Sequence, residues 1–91
     1  MKVVIDPKEA RRFARVLDER AADLKRLDSA ISRTLLELEA NSWKDTRYQQ
    51  FEKRYEETSL QLQRFLDHAE KYATYLRRKV VPIERYLERK Y

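Results

Sequence analysis

The sequence predicts an all-α fold: a two-helix antiparallel hairpin that dimerises into a four-helix bundle. Three observations lead there. The 91 residues contain no glycine, no cysteine and two prolines, while 41% are charged and 42% hydrophobic. Such a composition belongs to long helices and coiled coils. Apolar residues recur every seven positions in two long segments, and one short polar break separates them. The chain therefore reads as a single helical-hairpin domain over residues 1–91.

The elements follow in order. Residues 1–5 form a short apolar arm containing Val3, Val4 and Ile5. Asp6-Pro7-Lys8-Glu9 then gives a helix start. Asp6 can accept from free backbone N–H groups, Pro7 suits the first helical position, and Glu9 stands at the acidic place of a capping box. Ile5 and Ala10 are spaced as a hydrophobic staple. Leu17, Leu24, Ile31 and Leu38 recur every seven residues, with Phe13, Leu27 and Leu35 beside them and Ala10, Ala14, Ala21 and Ala30 widening the stripe. Arg12, Arg15, Glu19, Arg26, Arg33 and Glu37 take the opposite face. This is an amphipathic helix over about residues 7–40.

The turn is residues 41–45. Asn41 is suited to the left-handed conformation that ends a helix, and Ser42 or Asp45 can cap the next one. A turn this short sends the second helix back antiparallel. That helix covers about residues 45–81. Tyr48, Tyr55, Leu62, Ala69, Leu76 and Ile83 form one seven-residue row, and Phe51, Thr58, Phe65, Tyr72 and Tyr86 a second row three residues later. Arg54, Glu57, Gln61, Arg64, Lys71 and Arg78 form the wet face. Pro82 removes one helical hydrogen bond and disfavours α geometry at Val81, which predicts a stop or kink near Val80 and a short terminal helix over 82–90.

Composition excludes several chemistries. Without glycine there is no phosphate-cradling loop, and without cysteine no disulfide, cysteine zinc site or thiol nucleophile. The lone histidine, His68, lies between Asp67 and Glu70, and Phe65-Leu66-Asp67-His68 fails the Glu-x-x-His pattern of di-iron bundles. The expectation is a non-enzymatic protein with no cofactor and no metal. No apolar run approaches a transmembrane segment, and the first residues lack the features of a cleavable secretory signal. The formal charge is +5. Arg77, Arg78 and Lys79 form the densest basic patch, which suits either the C-terminal pole of a helix or a polyanion. No nucleic-acid-binding motif accompanies it.

A lone hairpin buries only a thin seam, and chains of this size usually need help from a disulfide, a metal or a partner. Helix two carries more large apolar groups than one seam requires, so pairing with another hairpin is expected. Trp43, the only tryptophan, sits in the turn, either as a lid or as an anchor for a second chain.

Asp6-Pro7, the leucine seam, Asn41-Ser42-Trp43 at the break, and Phe51 and Tyr55 beyond it together resemble the WXG family. These are small bacterial helical-hairpin proteins associated with type VII secretion. Asp45 stands where that family has glycine, so the resemblance is to a Trp-x-Asp variant. The resemblance implies a secreted substrate, co-exported partner or targeting adaptor. It implies pairing as a homodimer or with a related hairpin as a heterodimer, and contact with a secretion ATPase or a larger toxin. Trp43, Asp45, Phe51, Tyr55, Leu62 and Phe65 are the candidate partner-binding residues. The implied location is the bacterial cytoplasm, with export that uses no cleavable signal peptide. The family's Tyr-x-x-x-Asp/Glu export signal is matched only by Tyr48 and Glu52, an ordinary i, i+4 helical pair. Tyr86 is followed at that spacing by Lys90. The chain would then rely on a partner's signal or remain inside as an adaptor. The alternative is a basic helical module binding nucleic acid or an anionic membrane surface.

Overall fold

The computed structural model describes residues 6–41 and 44–90. It contains two helices, α1 (Pro7–Ala40) and α2 (Thr46–Lys90), packed against each other as an antiparallel hairpin. The α1 start is built as its sequence dictates. Asp6 is extended, and its carboxylate accepts from the Lys8 N–H at 3.0 Å, with Pro7 at the first helical position. Glu9 does not close a capping box: its carboxylate takes the Arg12 guanidinium at 3.0 Å instead. Ile5, the other half of the staple, lies outside the described residues.

Asn41 ends α1 at φ −88°, ψ 16°, not in the left-handed region. Its N–H still reaches the Glu37 carbonyl at 3.1 Å, so the last helical bond forms without a left-handed residue. Ser42 and Trp43 lie outside the described residues. Asp45 caps α2: its carboxylate accepts from the Tyr48 N–H at 2.7 Å.

α2 does not stop at Val80. It runs through Pro82 to Lys90. Proline removes the N–H that would reach the Arg78 carbonyl, but Arg78 and Pro82 are both exposed, so water can satisfy that oxygen. On either side of the proline the helix is held down, by fully buried Val80 and by Glu84 bound to Arg11.

The seam differs from the predicted one in a definite way. On α1 its centre is the row Pro7, Ala14, Ala21 and Leu35, while Leu17, Leu24 and Ile31 are only half-buried. On α2 the row Tyr48, Leu62, Ala69 and Leu76 faces inward as expected. Its companion is the row four residues on, Ser59, Leu66, Ala73 and Val80, and not the row of Phe51, Phe65, Tyr72 and Tyr86, which is exposed. Half of the buried core is alanine. Small side chains at a helix contact shorten the distance between axes. The resulting plate measures 67 × 25 × 14 Å. Its thickness is little more than one helix, so both broad faces stay open.

Three ion pairs join the helices along one edge of the seam. Arg11 holds Glu84 with two hydrogen bonds of 2.6 Å, Asp18 meets Arg77, and Lys25 meets Glu70. The residues are seven apart on each helix, and their signs alternate.

Candidate interaction face

The broad face away from these ion pairs is apolar. From α1 it receives Phe13 and Leu27, 53% and 56% exposed, above half-buried Leu17, Leu24 and Ile31. From α2 it receives Phe51, Phe65, Tyr72 and Tyr86, with half-buried Leu62 and Leu76 behind them. Phe13 and Tyr72 meet across the hairpin edge to face, ring centroids 6.3 Å apart, which places both rows on one side. Tyr72 also stacks on Tyr75 at 6.0 Å. Scattered exposed apolar groups are ordinary, but a continuous lane of them on one face is the signature of a contact surface.

The sequence-predicted residues divide between this face and the hairpin's own frame. Phe51 and Phe65 lie on the face, exposed, and Leu62 lines its inner edge. Tyr55 points into the seam. Its hydroxyl donates to the Asp28 carbonyl oxygen at 2.7 Å and also meets the Asp28 carboxylate. Ser32 lies 3.1 Å from the same hydroxyl, and Ser59 donates to both Asp28 carboxylate oxygens at 3.0 Å. Asp28 thus occupies a seam position as an acceptor, surrounded by hydroxyls. Asp45 is committed to capping. Trp43 lies outside the described residues, so its placement relative to the face is not part of the geometry.

Tyr48 is buried, and its hydroxyl shares one proton between the Leu35 carbonyl (3.0 Å) and Glu52 (2.9 Å). Burial, with Glu52 adding to it, pushes the Tyr48 phenol up to about 12. Burial and the Asp28 carboxylate raise Tyr55 as well. Among the described residues the tyrosines therefore read as core at positions 48 and 55 only, since Tyr72, Tyr75 and Tyr86 are about half exposed or more.

The basic patch is also redrawn. Arg77 is taken by Asp18, while Arg78 and Lys79 make no ion pair among the described residues. They border a shallow open depression of about 350 Å³ with Tyr75, Pro82 and Ile83. Sequence reading missed Asp18, Asp28, Glu70 and Glu84 as organising residues. The signal was present: Arg11, Asp18 and Lys25 are a seven-residue row of alternating sign.

Among the described residues no group of three His, Cys, Asp or Glu side chains could hold a metal ion. No helix is long and apolar enough to cross a membrane. Comparison with family models, with curated proteins and with solved structures finds no match to this chain.

Proposed function

We propose that this chain is a non-enzymatic partner protein that pairs its apolar face with a second helical hairpin, forming a four-helix bundle. Its role is that of a WXG-like protein of type VII-like secretion, as substrate, co-exported partner or targeting adaptor. The observation that carries the pairing is the lane of Phe13, Leu27, Phe51, Phe65 and Tyr72 left uncovered on a plate 14 Å thick. A four-helix bundle buries such a lane on every helix. The secretion role rests on the sequence resemblance and is supported by the hairpin; Asp45, which caps α2, is where the chain departs from the family.

The experiment is a secretome comparison in the bacterium that makes the chain. Substrate, partner and adaptor roles all require that deleting the gene removes the chain or another protein from the medium. Trp43→Ala should reproduce the defect while keeping its helical circular dichroism. An unchanged secretome after gene deletion sinks the secretion role.

A second reading has one observation behind it, the unpaired Arg78 and Lys79 on an exposed helix face. A polyanion-binding module would lose a salt-steep affinity for DNA, RNA or anionic vesicles on Arg78→Glu/Lys79→Glu. No such affinity is expected of a hairpin-pairing protein.

A further inference from the structure

The apolar face is bordered by cations on its α2 edge and by mixed, self-paired charge on its α1 edge. On α2, between residues 64 and 89, the rows at and beside the face carry six cations: Arg64, Lys71, Arg78, Lys79, Arg85 and Arg89. None makes an ion pair among the described residues. The four acids of that stretch, Asp67, Glu70, Glu84 and Glu88, all fall on other sides of the helix, and Glu70 and Glu84 are already bound to α1. Along the α1 edge the acids Glu9, Glu19, Asp23 and Glu37 are interspersed with Arg12, Arg20, Arg26 and Arg33, and Glu9 and Asp23 are paired within the helix.

We propose that this face takes an acidic amphipathic helical partner, with carboxylates along the rim that meets α2, in preference to a second copy of the chain. The proposal rests on the pairing reading above and names the partner's chemistry.

A second copy matches the cations poorly. In parallel face-to-face alignment α2 would lie over α1 of the second copy, whose edge already pairs its own charges, Glu9 with Arg12 and Asp23 with Arg20 and Arg26. In antiparallel alignment they would meet the turn half of the same face, whose acids are Asp23, Glu37 and Glu57. Asp23 is held from both sides by Arg20 and Arg26, so two free carboxylates would face six cations. A nucleic acid fits less well because its backbone offers nothing apolar to cover Leu27 and Leu62, and an anionic bilayer offers no seven-residue register for the cations to match. A helix supplies both requirements. Arg64, Lys71, Arg78 and Arg85 recur every seven residues, roughly 10 Å apart along α2, which is the repeat of a facing helix. Charged rim positions at that spacing select partners in coiled coils.

The test uses the unaltered chain and two synthetic helices of about five heptads, identical in their leucine face but carrying Glu or Lys at the rim. At low salt the Glu peptide should bind at least about tenfold tighter than the Lys peptide, and the gap should close near 1 M salt, where screening is nearly complete. Arg64→Glu/Arg78→Glu should narrow the gap between the two peptides with helical circular dichroism retained, because both side chains are exposed. Equal affinity for the two peptides overturns the proposal. So does a tight homodimer at low salt that excludes the Glu peptide, an outcome that leaves hairpin pairing intact. Tighter binding of single-stranded DNA or phosphatidylglycerol vesicles than of the Glu peptide also overturns it. A chain that neither self-associates nor binds either peptide overturns this proposal and the pairing reading together.

Discussion

Asp28 shows how one side chain decides a seam. It stands in the inward row of α1, between Ala21 and Leu35, where an aliphatic residue would be expected. Its carboxylate instead accepts from Ser59 and meets the Tyr55 hydroxyl, so a polar residue here has its partners built around it. Asp28→Ala would leave the Ser59 hydroxyl without its acceptor, while Tyr55 keeps the backbone carbonyl of residue 28, and thermal or denaturant melts should show a loss of about 1–3 kcal/mol. Asp45→Ala should cost about 1 kcal/mol and Asp45→Gly a few tenths, since the lost contact is a helix cap. A more stable glycine variant would mean that position 45 prefers a left-handed backbone. The tyrosines give a pH signature. The folded state holds the Tyr48 proton up to about 12, so this contribution is complete below the ordinary phenol range and lost as pH rises through that value. Absorbance at alkaline pH should show Tyr48 and Tyr55 ionising above the ordinary phenol range, together with unfolding. Glu84 has the opposite sign: hydrogen bonding from Arg11 lowers it, so its contribution is present above the ordinary carboxylate range and fades as pH falls through the lowered value.

At the scale of the element, Pro82 is the informative residue. A proline inside a helix ordinarily ends or kinks it. Here both the proline and the carbonyl it orphans face water, and Val80 and Glu84 anchor the helix on either side. Pro82→Ala restores the donor to the Arg78 carbonyl and should stabilise α2 by up to about 3 kcal/mol. Amide exchange around residues 78–86 should slow; unchanged exchange there would mean the proline imposes no cost. The two helices, their N-caps Asp6 and Asp45, and the inward row of Tyr48, Tyr55, Leu62 and Ala69 were legible in the sequence because period and capping are local properties. The second inward row was not. Phe51, Phe65 and Tyr72 outrank Ser59 and Ala73 in hydrophobicity, and pattern reading chooses the larger groups. Which flank of a helix turns inward depends on its neighbour, and the decisive neighbours were Arg11, Asp18 and Lys25 on α1. The same ambiguity explains why the face was legible only as an excess of apolar residues, without its position.

For the whole molecule, a plate one helix thick has no interior apart from its seam, so its stability and its contacts draw on the same side chains. Leu27→Asp or Phe65→Asp should leave the hairpin's own helicity nearly unchanged, since both residues are more than half exposed, but should abolish bundle formation by sedimentation. A large drop in monomer melting temperature would instead make the face part of the hairpin core. The ion-paired edge has a consequence of another kind. Its signs run plus, minus, plus on α1 at residues 11, 18 and 25, against minus, plus, minus on α2 at 84, 77 and 70. A slip of one heptad would bring Arg11 to Arg77 and Asp18 to Glu70; in the other direction, Asp18 meets Glu84 and Lys25 meets Arg77. Every adjacent error reads as a mismatch, so the edge works as a parity check on alignment, even though each exposed pair adds little stability. Swapping one pair, Asp18→Arg with Arg77→Asp, keeps all three attractions but makes each row uniform in sign. That variant should melt close to the parent yet give a broadened distribution of interhelix spin-label distances. In the parent, the nearest alignment that passes the check lies two heptads away, roughly 21 Å along the helix, farther than the few residues between Ala40 and Thr46 can follow.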